Sequence, residues 1–283
     1  MKAKTMKMKQ TIALILLLVS TTFTVAQKKE KIKGSKTVTT KVKEISNFDN
    51  LEVSDNIEVY LEKGETSFLS IEADDNLQDE IAITSVGTTL QLQTVKTITR
   101  FKKLIIRITY ANEIRSISAK NDAIVNAIQE IHTDNITLKS ADDSKLFLNI
   151  VAKNLVLQAD NKSSLELNVK GETAKIVMSE NSQLKALINT TEFTCDLYQK
   201  TEAKIEGNAA TGAIRLDNTA KLTAEKLQIK KLKIITEQSS ACSVNAEKEI
   251  EISASERSEI QLYGNPKIDL LKFSDEAKLL KKN

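Results

Sequence analysis

A repeat of about nineteen residues is the feature that most restricts the fold of this chain. Leu146, Leu165, Leu184 and Ala203 stand nineteen residues apart. The series is predicted to continue less regularly through Ala220, Cys242, Ile260 and Ala277. A small polar residue stands two positions before each member: Ser144, Ser163, Ser182, Thr201, Asn218, Ser240, Ser258 and Asp275. A period near twenty is typical of a solenoid, in which each repeat forms one coil stacked on the previous coil.

Each repeat has the pattern of two short strands around a polar turn. In residues 135–153, Ile136 and Leu138 alternate with polar residues, Asp142 and Asp143 predict a turn, and alternation resumes at Leu146. Alternation with a period of two puts the apolar side chains on one face of a strand. Nineteen residues are too few for a strand–helix–strand crossover with its turns. The sequence therefore predicts an all-β fold, a right-handed parallel β-helix over residues 118–283.

The outward positions of the predicted coils have a different composition from the inward ones. One outward column is mixed and mostly charged: Phe147, Glu166, Lys185, Lys204, Lys221, Ser243, Gln261 and Lys278. Charged side chains are typical of a solvated sheet face and oppose lateral aggregation of a long sheet. The turn columns and these outer faces are the predicted working surfaces.

Residues 45–117 are rich in strand patterns but lack the nineteen-residue register. Val53, Ile57 and Val59 belong to one alternating run, and Gly64 and Gly87 occupy predicted hairpin turns. We expect this segment to be an N-terminal cap that covers the first coil and shares one continuous core with the repeats. At the other end, residues 275–283 are polar and lysine-rich, and we expect them to close the last coil.

The first 26 residues have the pattern of a cleaved secretory signal peptide. Four lysines precede the apolar run Thr11–Val19, and Ala26 follows a stretch of small residues. An uncleaved membrane anchor is the alternative, but the run is much shorter than the roughly 20 residues that a span requires. We interpret residues 27–44, which are rich in lysine, as a flexible solvated linker.

Removal of the signal peptide changes the charge balance of the protein. The full chain has 41 Lys plus Arg and 38 Asp plus Glu. Residues 1–26 hold four lysines and no acidic residue, so 37 basic residues face 38 acidic ones in the remainder. This balance does not indicate a nucleic-acid-binding surface.

The two cysteines, Cys195 and Cys242, are predicted to remain unpaired. The repeat register puts Cys195 on the first strand of its coil and Cys242 on the second strand, two coils further on. Stacked strands lie about 4.8 Å apart, so two coils separate the residues by roughly 9–10 Å along the axis. A disulfide requires Cα atoms within about 7 Å. We expect two buried thiols that pack as small apolar groups.

No set of residues in the sequence predicts a catalytic, cofactor or metal site. His132, the single histidine, is interpreted as a surface residue in a turn between coils rather than a catalytic base. Asp142 and Asp143 are the best acidic pair, with Asp160 and Glu180 in neighbouring coils. Asn, Gln and Lys interrupt these columns, which favours turn chemistry over a calcium site or a glycosidase pair. Aromatic residues are few: Phe193 is assigned to the core, and Tyr198 and Tyr263 to outward positions.

Several segments carry a resemblance to a known family. The runs 48–53 (Phe-Asp-Asn-Leu-Glu-Val) and 57–64 (Ile-Glu-Val-Tyr-Leu-Glu-Lys-Gly) open it, and 73–77, 90–92 and 104–108 continue it. Over about residues 45–265 the chain resembles the exported bacterial proteins called putative auto-transporter adhesin, head GIN domain. The resemblance implies a single-stranded β-helix, export and a role in adhesion, and it brings no catalytic residues. The family often turns its coils at Gly-Ser-Gly, whereas the turns here at 120–122, 141–144 and 161–164 contain no glycine.

These observations lead to three functional hypotheses. The first is an exported, non-catalytic envelope or surface protein that binds a large partner, an envelope protein or a polysaccharide, in the periplasm, at the outer-membrane surface or outside the cell. The second is a polysaccharide lyase or hydrolase on the same scaffold, which rests on analogy of fold alone. The third is a structural subunit that self-associates as a homo-oligomer through its first or last coil.

Overall fold

The computed structural model describes residues 29–283 and confirms the predicted fold. It is a β-solenoid of about nine turns, roughly 19 residues apart. The first ten strands are β1 (Lys31–Lys33), β2 (Val38–Glu44), β3 (Asn50–Ser54), β4 (Glu58–Lys63), β5 (Phe68–Asp74), β6 (Ile81–Val86), β7 (Thr89–Thr94), β8 (Thr97–Thr99), β9 (Leu104–Tyr110) and β10 (Ser116–Lys120). A short 3₁₀ helix, Asp75–Glu80, separates β5 from β6.

The repeat region consists of long strands that each form most of one coil. They are β11 (Ile124–Ser140), β12 (Lys145–Ala159), β13 (Ser164–Met178), β14 (Gln183–Leu197), β15 (Glu202–Leu216), β16 (Lys221–Thr236) and β17 (Ala241–Ala254). The chain ends with β18 (Glu259–Tyr263), β19 (Lys267–Phe273) and β20 (Lys278–Lys281). Each long strand pairs in parallel with its predecessor and its successor. The two predicted half-strands on either side of a corner are thus one continuous strand, and one tight turn joins it to the next coil.

The predicted interior ladder is present, but two of its later members, Ala220 and Ala277, are not those found. Leu146, Leu165, Leu184 and Ala203 stack in register. The ladder continues through Leu222, Cys242, Ile260 and Leu279. The assignments of Ala220 and Ala277 were wrong by two residues, because an alanine fits the interior at either position and apolar character alone does not set the register.

The same shift corrects the predicted outward column and the column of small polar residues. Lys204 is followed outward by Thr223 and not by Lys221, and Gln261 is followed by Leu280 and not by Lys278. The predicted column of small polar residues is a buried column two positions before the ladder, and it includes Ser182. In the later coil this position is occupied by Ala220 and not by Asn218. Asn218 itself belongs to the turn.

Each tight turn has a residue with positive φ at the same place in the coil. These residues are Asp55, Asn121, Asp142, Asn161, Glu180, Gln199, Asn218, Gln238, Glu256 and Asp275. All carry a side-chain amide or carboxylate, and Asn and Asp in particular tolerate left-handed backbone conformations. A buried hydroxyl supports some of the turns: the Oγ of Ser144 donates to the carbonyl of Ala119 at 2.9 Å and accepts from the N–H of Ala141 at 3.0 Å.

The N-terminal region contains coils as well as a cap. Strand β3 lies between β7 and β10, and β4 lies between β9 and β11, all in parallel. The coil formed by β3 and β4 therefore lies between two other coils. The chain then returns through β5 and β6 and builds the outer coil from β7 and β9. The end is covered by β2, β5 and β6, which pair antiparallel: β2 with β5, β5 with β9, and β6 with β7. The predicted cap over residues 45–117 was thus too large, because its alternating runs join the parallel stack.

The interpretation of residues 27–44 as a flexible linker was wrong for Lys31–Glu44. Strand β1 pairs with β8, and β2 pairs along its whole length with β5. Most side chains of β2 are exposed, and lysines are typical of edge strands because they prevent further pairing. The same composition therefore suits an edge strand as well as a linker. The predicted signal peptide lies outside the described residues, and in residues 29–283 no helix has the length and apolar character to cross a membrane.

Both cysteines are free and buried, as the register predicted. Cys195 stacks on Ile176 and Cys242 on Leu222, in different ladders. Burial raises the pKa of the Cys195 thiol far above its ordinary value and that of Cys242 to about 12. A thiol with such a pKa stays protonated and is a poor nucleophile.

Candidate functional site

An open groove lies on the outer face of the strand segments that follow the tight turns. It encloses about 650 Å³ and crosses five long strands, β11 to β15. One outward column lines it with Tyr60, Asn126, Phe147, Glu166, Lys185 and Lys204. The neighbouring outward column adds Asn149, Asn168, Leu187 and Glu206. Four inward residues complete the lining: Ala127, Leu148, Leu167 and Ala186. These fourteen residues are called the groove below.

Irregular pairing marks the two ends of the groove. The register between β11 and β12 shifts between Ala127 and Glu130, and that between β15 and β16 shifts between Lys204 and Gly207. An extra residue in one strand bends that strand and increases its local twist. The strands between the two shifts pair without interruption in this region. We attribute the concavity to the bends at either end of this regular section.

The apolar part of the groove consists of Tyr60, Phe147 and Leu187. Leu187 is 44 % exposed, which is unusual for leucine on an otherwise charged face. The Tyr60 ring is held from two sides: its hydroxyl donates to Glu58 at 2.7 Å, and the Arg107 guanidinium lies 5.0 Å from the ring centre. The hydrogen bond to Glu58 raises the pKa of Tyr60. A neutral, oriented phenol and two apolar side chains form a platform for contact.

The charged side chains of the groove are paired with one another. Glu166 accepts a hydrogen bond from Lys185 at 3.2 Å. Glu206 lies 3.7 Å from Lys204 and 3.7 Å from Lys226. Carboxylates neutralised by lysine in this way balance charge on a surface, whereas acid–base catalysis needs carboxyl groups whose environments differ.

One polar atom of the groove lacks a partner. The Oδ1 of Asn168 is buried and accepts no hydrogen bond. A buried acceptor without a donor costs about 1–3 kcal/mol. A ligand that brings an N–H or O–H group to this position would remove that cost.

His132 lies outside the groove. It is exposed within strand β11, so its predicted place in a turn was wrong. Its Nε2 is 3.5 Å from the Glu130 carboxylate, which also pairs with Lys170 at 3.0 Å. The hydrogen bond from Lys170 lowers the pKa of Glu130. Because both thiols lie inside the solenoid and His132 lies outside, they cannot act together.

The predicted acidic pair is engaged in the turns. Asp142 and Asp143 both have positive φ, and the Oδ1 of Asp142 accepts a hydrogen bond from Asn161 at 2.6 Å. One column away, Asp160 accepts from the Ser179 hydroxyl at 2.7 Å. These bonds link successive coils. In the part of the chain described, no three or more His, Cys, Asp or Glu side chains are grouped so that they could hold a metal ion.

The aromatic predictions were partly correct. Phe193 is 1 % exposed and belongs to the core. Tyr198 and Tyr263 are half-buried and do not line the groove. Sequence reasoning missed Tyr60 because its strand was assigned to the cap. The relevant signal was its outward position between the inward Val59 and Leu61.

Comparisons with known proteins agree with this architecture. The model of the family described as putative auto-transporter adhesin, head GIN domain matches residues 47–186 and 165–266. No curated protein matches the sequence significantly.

Three solved structures show the same fold. A putative adhesin from Parabacteroides merdae is 15 % identical with a TM-score of 0.64, over 90 % of this chain and 100 % of that one. A putative lipid binding protein from Parabacteroides distasonis is 16 % identical with a TM-score of 0.68, over 90 % and 100 %. A putative adhesin from the same organism is 16 % identical with a TM-score of 0.65, over 89 % and 100 %.

Proposed function

The chain belongs to the family described as putative auto-transporter adhesin, head GIN domain, and from this premise we propose that it is an exported, non-catalytic envelope protein. It binds a large partner, an envelope protein or a polysaccharide, through its outer surface. The groove is the observation that carries this proposal. It combines an apolar platform with paired charges and an unsatisfied acceptor on a rigid sheet.

The dimensions of the groove favour an extended partner. It crosses five strands that lie about 4.8 Å apart, so it is roughly 20 Å long, and it is open to solvent along its length. Small-molecule sites are usually concave enough to bury most of their ligand. An open groove of this length suits a polymer chain or a protein surface.

The chemistry of the groove supports binding rather than catalysis. Its two carboxylates, Glu166 and Glu206, each lie beside a lysine. The acidic pair Asp142 and Asp143 lies in the turns, where hydrogen bonds to neighbouring coils engage it. The enzyme alternative requires converging carboxylates on one outer face, and no such group supports it in the described residues.

Binding to isolated cell envelopes tests the proposal. The double variant Phe147→Asp with Leu187→Asp should reduce retention of the protein on envelopes at least tenfold, because two charges replace the apolar platform. Gln158→Asp is the matched control, since Gln158 is exposed on another outer face of β12. Protease treatment of the envelopes should abolish binding to a protein partner, and periodate oxidation should abolish binding to a polysaccharide.

Two results would contradict the proposal. Equal retention of the double variant and the control would exclude the groove as the binding surface. Turnover of an acidic polysaccharide that is lost in Asp142→Asn would establish the enzyme alternative.

A further inference from the structure

The C-terminal coil, formed by β19 and β20, leaves the end of the solenoid open. Residues 275–283 do not close it as predicted, because Lys278–Lys281 forms a strand that stacks on β18. Ile268 and Leu270 stay in register with the buried Ile250 and Ile252, and Phe273 with Ala254. They are nevertheless 42 %, 54 % and 43 % exposed. The apolar interior therefore reaches solvent at this end.

The strands of this coil also have a free edge. Within residues 29–283, β19 pairs only with β17, and β20 only with β18. Their outer edges present backbone N–H and C=O groups without a strand partner. Such an edge is a template for another strand. The opposite end of the solenoid differs, because antiparallel β2, β5 and β6 cover it.

Positive charge surrounds the open end. The segment 267–282 has five lysines, Lys267, Lys272, Lys278, Lys281 and Lys282, and three acidic residues, Asp269, Asp275 and Glu276. Lys281 stands in register with Leu262, which is 1 % exposed in the interior. Lys281 is exposed, and its ammonium donates to the carbonyl of Lys282 at 2.7 Å. A charged side chain in this column opposes stacking of an identical end, since two copies would bring two such charges together.

We infer that the C-terminal coil is a docking edge for an extended acidic strand of a partner protein. The partner strand adds to β19 by main-chain hydrogen bonds, and its apolar residues cover Ile268 and Leu270. Its carboxylates face the exposed lysines Lys272 and Lys278, because Lys267 is paired with Asp269 at 3.2 Å. Strand addition to an open sheet edge is an established mode of peptide recognition, in which alternate side chains provide specificity. This surface is separate from the groove.

On its covered side, β19 pairs in parallel with β17. Strand β17 contributes Glu-Ile-Glu-Ile at residues 249–252, with Glu249 opposite Lys267 and Ile250 opposite Ile268. The partner on the free side is expected to have the same alternation of acidic and apolar residues. The sequence of residues 249–254 is therefore a suitable probe.

Titration of the protein with a synthetic peptide of sequence Glu-Ile-Glu-Ile-Ser-Ala tests the inference. NMR chemical shifts and slowed amide hydrogen exchange in β19 should report saturable binding up to about 1 mM peptide, the concentration range expected for weak recognition of a short segment. A peptide with lysine in place of both glutamates should bind at least tenfold more weakly. The variant Leu270→Lys should abolish binding, whereas Val86→Lys, at a similarly exposed apolar residue of β6 near the opposite end of the solenoid, should leave it unchanged.

Other outcomes would overturn the inference. These are absence of saturable binding, equal binding of the two peptides, and binding that Leu270→Lys does not change. A dimer in analytical ultracentrifugation that becomes monomeric in Leu270→Lys would assign the end to a second copy of the chain. Leu270-dependent binding to vesicles of phosphatidylglycerol would assign it to a membrane.

Discussion

The substitution Leu165→Ala tests the central packing feature of the solenoid. Leu165 is 1 % exposed and lies between Leu146 and Leu184 in the interior ladder. Replacement by alanine removes three carbon atoms, which corresponds to about 2.4 kcal/mol of transfer free energy at roughly 0.8 kcal/mol per methylene. The substitution also leaves a cavity.

The ladder prevents this cavity from closing. Parallel hydrogen bonds hold the coils above and below at a spacing of about 4.8 Å, so Leu146 and Leu184 cannot move together. A cavity that persists adds to the transfer cost and brings a leucine-to-alanine change to about 2–5 kcal/mol. We expect a loss of about 3–4 kcal/mol in the free energy of unfolding, from the middle of that range.

Denaturant unfolding followed by far-ultraviolet circular dichroism measures this loss, since the chain has no tryptophan. Thermal melting should show a decrease of about 6–16 °C, at roughly 2–4 °C per kcal/mol for a domain of this size. Tyrosine absorbance should give the same transition, which confirms that the coils unfold together.

Glu166→Ala is the matched control on the adjacent residue. Glu166 points outward, and its pair with Lys185 is exposed, so its loss should cost less than about 1 kcal/mol. A cost below about 1 kcal/mol for Leu165→Ala, or equal costs for the two variants, would refute the stacked interior.

Three further predictions concern the cap, the turns and the thiols. Burial acts to raise the pKa of Asp74, but N–H groups of Lys36, Lys102 and Lys103 bind its carboxylate and hold the pKa below 3.8. The stability that the Asp74 carboxylate contributes is therefore complete above pH 3.8 and is lost as the pH falls below that value. Asp74→Asn should lower the melting temperature at pH 7, and the melting temperature of the variant should fall less on acidification than that of the wild type. An unchanged pH dependence would contradict this. Gln238 has a φ of 59°, so Gln238→Val should lower the free energy of unfolding by about 1–2 kcal/mol, measured with denaturant. The control Gln228→Val, at an exposed strand position, should leave the stability unchanged. Similar losses in the two variants would exclude backbone strain as the cause. Alkylation should label neither cysteine in the native protein and both after denaturation without reductant, and failure to label the denatured chain would reveal a disulfide.

The sequence was sufficient for the coil but not for its full register. The nineteen-residue spacing identified Leu146, Leu165 and Leu184 as stacked neighbours, and the structure confirms it. It placed Ala220 in the ladder instead of Leu222, although Leu222 stands nineteen residues after Ala203, because either side chain is apolar. The pairing of Leu222 with Ala203 and Cys242 resolves this choice.

The candidate site was predictable as a face but not as a groove. Alternation placed Phe147, Glu166 and Lys185 on the outside, and they line the groove. Its concavity results from register shifts near Ala127 and Lys204. Such shifts arise where neighbouring coils differ in length, so they depend on which coils become neighbours.

Local alternation and the long repeat determine, from the sequence alone, which side chains face inward and that the coils stack. Both are visible in neighbouring stretches of the sequence. Burial of apolar surface selects the inward face of each strand without reference to distant segments. The tertiary structure alone decides that β3 lies between β7 and β10, that lysine-rich β2 is an edge strand, and that β19 remains uncovered. These features depend on pairing between segments far apart in the chain, and many possible partners have the same alternation. Only the complete fold satisfies all of their hydrogen bonds and apolar contacts together.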